Sequence, residues 1–387
     1  MPELANNIKT DEHKPIFSGE NLGLILKGDN KKVLKLLNLT MSNSVRCIYM
    51  DPPYRNGETY AHYSDNDPHL FWMGNMGKVL PLAWEMLTGD GSIWISIDDS
   101  EMAYLKLLCD MHLGQDNYVA TLVWEHRNTR ENRTIFSHNH EYILVYAKDP
   151  EAFKRKRNKI EAPELIKRYK NPDKDPRGQW QSVTATAQAG HAAKSQYYPI
   201  ISPKTGKVHW PPRGRCWIYS EQRMLKEIEE DNIWFGEDGN KVPRVKKFLK
   251  DSRPSVVPHT LWKAEDVGTT MTAKKQLMKL FKEEGQLFDT PKPEELLRRI
   301  IEIATNPGDI VMDPYLGSGT TAAVSHKLGR RYIGIDNSDA SLDFAIRRLK
   351  KVKHGEQGGV SKSLKWFGGG DFCCYECLED AFEEIPV

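Results

Sequence analysis

The sequence has no long hydrophobic run and few cysteines, and both shortages narrow the class of protein. No apolar stretch approaches the roughly 20 residues that a membrane-spanning helix needs. The polar segment 1–17 lacks the apolar centre of a signal peptide. Six cysteines are scattered over 387 residues, which is typical of reduced thiols and not of a disulfide framework. We therefore expect a cytoplasmic protein that does not contact a membrane.

Several familiar ligand motifs are also missing. The sequence contains neither the G-x-G-x-x-G spacing of a dinucleotide site nor the G-K-[ST] of a phosphate loop. Cys373, Cys374 and Cys377 lie close together, but no second Cys or His pair flanks them at a zinc spacing. The acidic group at 98–101 follows a predicted strand and suits the start of a helix better than a metal ion. We expect no metal site.

Net charge is only +2, but the charges are unevenly distributed. Residues 151–261 contain 23 Lys and Arg against 13 Asp and Glu, whereas the rest of the chain contains 32 against 40. Aromatic residues, among them Trp180, Trp210 and Trp217, are interspersed with these basic residues. The combination is typical of a segment that binds a polyanion and stacks on bases. A lysine-rich surface over a small aromatic core is the alternative.

The tetrad Asp51-Pro52-Pro53-Tyr54 directly follows the apolar run 45–50, which predicts a buried parallel strand. In open α/β sheets, ligands bind just beyond the carboxyl ends of the strands. Asp51 and a proline carbonyl could each accept one N–H of a planar amine, and the Tyr54 ring could stack on its heterocycle. Taken alone, the tetrad could equally be a turn without chemistry.

A second strand, turn and helix are predicted over 310–328, and this segment has the context of a nucleotide site. Its turn contains Asp313, Tyr315, Gly317, Ser318, Gly319 and Thr320. Glycines let a ligand approach the backbone, and the first turn of a helix offers free N–H groups. The next predicted strand, 331–335, ends at Asp336, an acid of the kind that holds ribose hydroxyls.

Together, D-P-P-Y and D-P-Y-L-G-S-G-T-T resemble the motifs of DNA amino-methyltransferases that use S-adenosylmethionine. Tyr315 stands where that family usually has Phe. The order of the motifs is similar to the β class, and in particular to the Mod subunits of type III restriction–modification systems. The resemblance covers roughly residues 20–350, with further matches at 27–30, 96–99, 140–148, 234–236, 242–244 and 290–293.

The resemblance implies an α/β, Rossmann-like methyltransferase fold with a circularly permuted motif order and an inserted basic target-recognition domain. We expect a flexible arm (1–19), a catalytic half (20–150), the recognition insert (151–285), a cofactor-binding half (286–352) and a tail with an edge strand at 372–375 (353–387). The strand at 22–26 should then neighbour the catalytic strand.

The resemblance also assigns roles to residues. Asp51, Pro52, Pro53 and Tyr54 would be catalytic. The cofactor S-adenosylmethionine would be bound by Asp29, Thr290, Lys292, Asp313, Tyr315, Gly317, Ser318, Gly319, Thr320 and Asp336. The segment 290–293 would lie near its methionine end. Asp29 would accept a hydrogen bond from its adenine, unless this carboxylate only caps the helix that follows.

The implied activity is methylation of adenine N6 in double-stranded DNA, on a base flipped out of the helix. An enzyme of this kind would be encoded by a bacterium or a phage, within a restriction–modification system or as an orphan. A cytosine-N4 methyltransferase and a non-catalytic DNA-recognition subunit are the alternatives. A homodimer and a restriction subunit as partner are left open.

Overall fold

The computed structural model describes residues 21–57, 67–132, 134–161, 163–189, 194–252, 254–282, 288–378 and 382–385. The predicted flexible arm 1–19 lies outside these residues. No helix in the described part of the chain is long and apolar enough to cross a membrane. The chain forms two compact units: Met1–Asn158 together with His259–Val387, and Lys159–Pro258.

Strands and helices alternate along the first unit, whereas short strands dominate the second. The strands are β1 (Asn21–Lys27), β2 (Val45–Met50), β3 (Leu87–Ile97), β4 (Tyr118–Glu125), β5 (His140–Ala147), β6 (Ile160–Glu161), β7 (Trp180–Thr184), β8 (Thr186–Gln188), β9 (Ile200–Ile201), β10 (Val208–His209), β11 (Arg215–Trp217), β12 (Ile233–Trp234), β13 (Arg244–Phe248), β14 (Ser255–Val256), β15 (Leu261–Trp262), β16 (Ile310–Asp313), β17 (Arg331–Asp336), β18 (Asp371–Cys377) and β19 (Phe382–Ile385). The helices are α1 (Asn30–Met41), α2 (His69–Met86), α3 (Met102–Cys109), α4 (Pro150–Lys156), α5 (Glu221–Glu229), α6 (Ala264–Val267), α7 (Thr270–Leu280), α8 (Glu294–Ala304), α9 (Thr320–Lys327), α10 (Asp339–Lys353) and α11 (Ser361–Leu364).

The first unit is built on one large sheet with the strand order β15-β4-β5-β3-β2-β16-β17-β1-β18-β19. Only β5 and β19 run against the other described strands. Every residue of β2 is buried, as expected for a central parallel strand covered by helices on both faces. Helices α1, α2 and α3 bury their apolar faces in one core with β2 and β3. The predicted α/β class is confirmed.

The two predicted motif strands are direct neighbours. Strands β2 and β16 pair in parallel, with Cys47 opposite Val311 and Ile48 opposite Met312. The residues that follow them, including Asp51 and Pro314, therefore emerge at the same edge of the sheet. This pairing joins segments that are far apart in the sequence.

Two strand placements differ from the expectations. Strand β1 does not neighbour β2, because β16 and β17 lie between them. The strand expected at 372–375, observed as β18, pairs in parallel with β1 on the side away from β2. It is not an edge strand, since β19 pairs along its outer side.

The second unit consists of small antiparallel sheets: β12-β13-β7, β11-β8, β10-β9 and β14-β6. Its core includes Trp217, Tyr198, Ile200, Met224 and Phe235. The unit is narrower than the insert expected at 151–285. Helix α4 precedes it in the first unit, and β15 follows it by pairing with β4.

Both junctions of the second unit are held by hydrogen bonds within the first unit. At the exit, the Asn158 amide donates from Nδ2 to the carbonyls of Glu302 and Thr305, at 2.9 Å each. At the return, the Val123 N–H of β4 donates to the Thr260 carbonyl at 2.8 Å. The chain therefore leaves and re-enters the first unit at fixed points.

Candidate active site

A cavity of about 1230 Å³ lies in the first unit at the edge where β2 and β16 end. The predicted catalytic and cofactor residues line it together, with one exception. The lining includes Asp29, Asp51, Pro52, Pro53, Tyr54, Thr290, Lys292, Asp313, Tyr315, Gly317, Ser318, Thr320 and Asp336. Gly319 is the exception. The juxtaposition of the two motifs in one cleft, which the sequence reasoning required, is therefore present.

The carboxylate of Asp51 is the centre of a hydrogen-bonded cluster. Its Oδ1 accepts from the Tyr54 hydroxyl at 2.8 Å and lies 2.9 Å from the Lys292 ammonium. Glu141 provides a second carboxylate, whose Oε2 lies 3.0 Å from the Tyr54 hydroxyl and 3.5 Å from Lys292 Nζ. The Pro53 carbonyl accepts from the Trp72 indole N–H at 2.6 Å. These contacts hold the D-P-P-Y tetrad in one conformation.

The protonation states in this cluster follow from burial and from the neighbouring charges. Burial alone would lower the pKa of Lys292, but Asp51 and Glu141 raise it above its ordinary value. Burial and the same two carboxylates raise the pKa of Tyr54. The pKa of His126, 3.4 Å from Glu141, is lowered by burial. Near neutral pH the cluster thus contains a charged lysine, a protonated tyrosine and a neutral histidine.

The turn after β16 is shaped by two carboxylates. Asp313 is buried, and it accepts from the Thr321 hydroxyl at 2.6 Å and from the Tyr315 N–H at 2.9 Å. Burial raises the pKa of Asp313 to about 7. Asp336, at the end of β17, accepts from the Gly317 N–H at 2.8 Å and from the Ser338 N–H at 2.9 Å. Asp336 therefore ties the turn to the neighbouring strand.

Comparison with known proteins identifies this arrangement. The DNA methylase family of N6 and N4 methyltransferases matches residues 45–347. The chain belongs to this family. It is 32% identical to the HindVI Mod subunit of Haemophilus influenzae, a probable type III restriction–modification enzyme, over 90% of this chain and 53% of that protein. It is also 32% identical to the StyLTI Mod subunit of Salmonella typhimurium, over 80% of this chain and 51% of that protein.

A third relative, the type II methyltransferase M.KpnI of Klebsiella pneumoniae, is 29% identical over 76% of this chain and 74% of its own length. The chain spans about half the length of the Mod subunits that it matches. The predicted family is confirmed.

The backbone of the family's G-S-G motif explains both of its glycines. Gly317 and Gly319 have φ values of 49° and 71°, a left-handed region that favours glycine. A Cβ on Gly317 would lie 3.3 Å from the Phe288 ring. A Cβ on Gly319 would lie 3.0 Å from the Ala345 Cβ and 3.2 Å from its Cα. Gly319 therefore allows α9 to pack closely on α10, whereas Gly317 is at the cavity surface.

A buried ion network supports this turn from behind. Arg348 of α10 donates to the Ser318 carbonyl at 3.1 Å, to the Thr320 hydroxyl at 2.8 Å and to Glu294 at 2.8 Å. Lys327 of α9 contacts the same Glu294 at 2.7 Å. Burial would raise the pKa of Glu294, but Lys327 and Arg348 lower it to about 2. The network links the D-P-Y-L-G-S-G turn to three helices.

Some predicted site residues have contacts that sequence reasoning did not assign to them. Lys292 was expected near the methionine end of the cofactor. Its ammonium instead contacts the carboxylate of Asp51, a predicted catalytic residue. Asp29 caps α1 by accepting from the Lys31 and Lys32 N–H groups, and it also lines the cavity. Tyr315 donates its hydroxyl to Met76 Sδ at 3.4 Å. Direct contacts of these residues with a cofactor stay predictions.

The sequence reasoning missed Glu141 and Trp72 as site residues. Glu141 lies at the beginning of β5, and the beginning of a strand normally faces away from the ligand edge. Because β5 is antiparallel to β3, its first residues reach the edge where the parallel strands end. The match at 140–148 was the signal that could have drawn attention to Glu141.

The acidic group after β3 is held by neighbouring side chains, and Asp98 and Asp99 also line the cavity. Glu101, fully buried, is paired with Arg55 and with His69 Nδ1, the latter at 2.9 Å. Asp99 accepts from the Tyr142 hydroxyl at 2.9 Å. Glu101 stands at the N-cap of α3 without a side-chain cap bond. Its carboxylate instead holds Arg55, which directly follows the D-P-P-Y tetrad.

Proposed function

We propose that this chain is a DNA methyltransferase that transfers a methyl group from S-adenosylmethionine to adenine N6 in double-stranded DNA. The observation that carries the proposal is the shared cavity, where an amine-holding tetrad faces a glycine-rich turn followed by a helix. A volume of about 1230 Å³ exceeds that of a typical single-ligand pocket, roughly 300–1,000 Å³. It therefore suits a cofactor together with an extruded base.

The residues of the turn fit the proposed cofactor. Gly317 presents backbone without a side chain at the cavity surface, and the N-terminus of α9 begins three residues later. Asp336 and Asp29 line the same cavity and would accept from the hydroxyl and amino groups of a nucleoside. S-adenosylmethionine supplies an electrophilic methyl group on a sulfonium when it is bound.

Asp51 and Pro52 would prepare the nucleophile. The lone pair of adenine N6 is delocalised into the ring, so the amine is weakly nucleophilic. If the Asp51 carboxylate and the Pro52 carbonyl each accept one N6–H, the nitrogen becomes more tetrahedral and its lone pair is localised. The lone pair then forms the new N–C bond while the C–S electrons return to sulfur. N6 afterwards releases one proton to solvent. Positioning of this kind can contribute several kcal/mol to a transfer.

Tyr54 would contact the flipped base with one face of its ring. Its other side is occupied, since Lys292 Nζ lies 5.0 Å from the ring centre. Its hydroxyl is fixed by Asp51 and Glu141, so the ring is held ready before a base arrives. A target atom inside a duplex is reachable only after such extrusion.

The second unit is proposed to recognise the DNA target. Its aromatic residues fall into two groups. Trp180, Trp217 and Tyr198 are buried, whereas Tyr197 and Trp210 are 54% and 53% exposed and their rings contact each other at 5.5 Å. Lys207 lies in the turn between β9 and β10, and among the described residues its ammonium donates to the main-chain carbonyl of Asn240 at 2.9 Å, which leaves its charge available for phosphate. The exposed pair is therefore the better candidate for base contact.

Partners follow from the same reasoning. Double-stranded DNA is the proposed substrate. The Mod relatives are named as subunits of type III restriction–modification enzymes, so a restriction subunit and a second copy of this chain are partners to test by co-expression and by sedimentation.

Incubation of unmethylated genomic DNA with radiolabelled S-adenosylmethionine, followed by mass spectrometry of the nucleosides, tests the proposal. N6-methyladenine is the expected product. N4-methylcytosine would establish the alternative specificity. DNA binding by the folded chain without any transfer would indicate a recognition subunit and would contradict an enzymatic role.

A further inference from the structure

The cluster around Asp51 contains one more negative than positive charge. Asp51 and Glu141 contribute two carboxylates and Lys292 contributes one ammonium, while Tyr54 and His126 are neutral for the reasons given above. Lys292 and Glu141 are nearly enclosed, with side chains 10% and 11% exposed. Their charges are therefore weakly screened by water.

We propose that Glu141 and Lys292 are positioning residues that give this end of the cavity a net charge of −1, matched to a cationic methyl donor. The inference rests on the proposed function. Lys292 fixes Asp51 and Tyr54 through its contacts with the carboxylate and the ring. Glu141 holds Lys292 and Tyr54 and supplies the excess negative charge.

The excess charge has a clear use in the proposed transfer. Positive charge leaves the sulfur and develops on N6, which would be held by Asp51. With Lys292 counted, the cluster is still negative, so it stabilises the positive charge that develops on N6. Its groups are already fixed in an enclosed site and do not have to reorient during the transfer. If Lys292 alone neutralised Asp51, the site would offer the developing cation a neutral surface. Glu141 prevents this.

The contacts also explain which oxygen of Asp51 would meet the amine. Oδ1 receives both the Tyr54 hydroxyl and the Lys292 ammonium. The second oxygen, Oδ2, is then the acceptor for an N6–H. Lys292 and Glu141 therefore act on the reaction through Asp51 and Tyr54.

Binding of two cofactor analogues tests the charge without requiring turnover. Sinefungin has an amine, cationic at neutral pH, in place of the methylsulfonium, whereas S-adenosylhomocysteine has a neutral thioether. The ratio of their dissociation constants, measured by calorimetry, reports the charge preference of the site. Glu141→Gln should reduce the preference for sinefungin about tenfold. Lys292→Met, which removes the cation, should leave that preference undiminished or increased.

Activity provides the second readout. Glu141→Gln should lower kcat by roughly 10–100-fold with little change in KM for DNA. Glu141→Asp, which keeps the charge, should recover part of the loss. Glu151→Gln and Lys148→Met are controls for the loss of a glutamate and of a lysine away from the cavity, and both should match the wild type. Melting curves identify any variant that fails to fold.

A lower preference for sinefungin in Glu141→Gln, together with an undiminished or increased preference in Lys292→Met, would not arise from disruption of the site alone. Equal losses of preference in Glu141→Gln and Lys292→Met, or an unchanged ratio in Glu141→Gln, would overturn the inference. If the wild-type chain binds both analogues and methylates DNA, such a result leaves the proposed function standing. If the wild type binds neither analogue, the proposed function itself fails, and this inference fails with it.

Discussion

Each unit of the molecule encloses a lysine among carboxylates, and the two clusters differ in what lies beside them. Lys292 in the first unit faces Asp51 and Glu141 at the wall of a large cavity. Lys246 in the second unit is fully buried and contacts Asp173, Asp175 and Asp231 at 2.6, 3.1 and 2.7 Å. Arg177 pairs with Asp175 in the same cluster.

The difference shows how a buried ion cluster can be assigned a role. The three carboxylate oxygens around Lys246 lie close enough together for a metal ion, but the lysine ammonium already contacts all three. The Trp180 indole N–H donates to Asp173, and the Trp180 and Trp234 rings lie 5.4 and 5.8 Å from Lys246 Nζ. The Lys246 ammonium is enclosed by these neighbours although Asp231 is 71% exposed, and we expect the cluster to stabilise a small unit. The Asp51 cluster opens on a cavity and is available for chemistry.

The sharpest test of the comparison is Asp51→Ala, which should abolish the activity proposed for the first cluster. Loss of the carboxylate removes the acceptor that would hold the target amine, and we expect methyl transfer to fall by roughly 10³-fold. Calorimetric affinity for the neutral analogue S-adenosylhomocysteine should change little. The control is Asp116→Ala, at an exposed turn. Transfer at the wild-type rate in Asp51→Ala would refute the mechanism.

Lys246→Met should have the opposite profile, with a loss of stability and no loss of cofactor affinity. Removing the ammonium takes one partner from the buried Asp175, which keeps its pair with Arg177, and we expect a loss of about 1–3 kcal/mol. Hydrogen exchange should accelerate in β7 and β13, whose strands pair around this cluster. The matched control is Lys226→Met, whose lysine is exposed in α5. Unchanged exchange would mean that the cluster does not stabilise the second unit.

A third cluster, around Glu294, predicts the pH dependence of stability. The folded-state pKa of Glu294 is about 2, below its ordinary value of 4.5. The stabilisation that the ionised Glu294 gives to the folded state is therefore fully present above pH 4.5 and is lost as the pH falls toward 2. The shift corresponds to about 3 kcal/mol. Unfolding free energies of Glu294→Gln between pH 3 and 7 should depend on pH less steeply than those of the wild type.

The control for that series is Glu302→Gln, because Glu302 is partly exposed and pairs with Arg298 one helical turn away. Its pH dependence should follow that of the wild type. Parallel curves for wild type and Glu294→Gln would contradict the role given to the buried network.

The smallest expected effect concerns the exposed face of the second unit. Trp210→Ala should weaken DNA binding about tenfold, because a stacked base contributes roughly 1–3 kcal/mol. Leu225→Ala is the control, since Leu225 is an exposed apolar residue of α5 in the same unit. Fluorescence anisotropy at two salt concentrations measures both. Equal affinity for the two variants would place base contact elsewhere.

The strongest local patterns were predictable. Apolar runs that end in an acid or a glycine-rich turn predicted β2, β16 and β17 and the edge at which they meet, because buried parallel strands carry a continuous apolar signal. That β2 and β16 are direct neighbours was not predicted; their pairing brings the two motifs to that edge together.

Features that depend on direction or on very short segments could not be predicted. Nothing in the composition of β5 reveals that it runs antiparallel, so Glu141 could not be placed at the ligand edge. Strand β15 has two residues, too few for a periodic signal, and this explains why the expected insert extended to 285. The position of β1 could not be predicted either, because no local pattern specifies that it pairs with β17 and β18.

The anchored junctions at Asn158 and Thr260 bear on how such a protein can diversify. The intervening segment can be exchanged as a cassette by recombination, because the hydrogen bonds that fix its ends belong to the recipient scaffold. If the second unit recognises the DNA target as proposed, an exchange of that kind would change which DNA sequence is selected while the reaction centre is inherited intact.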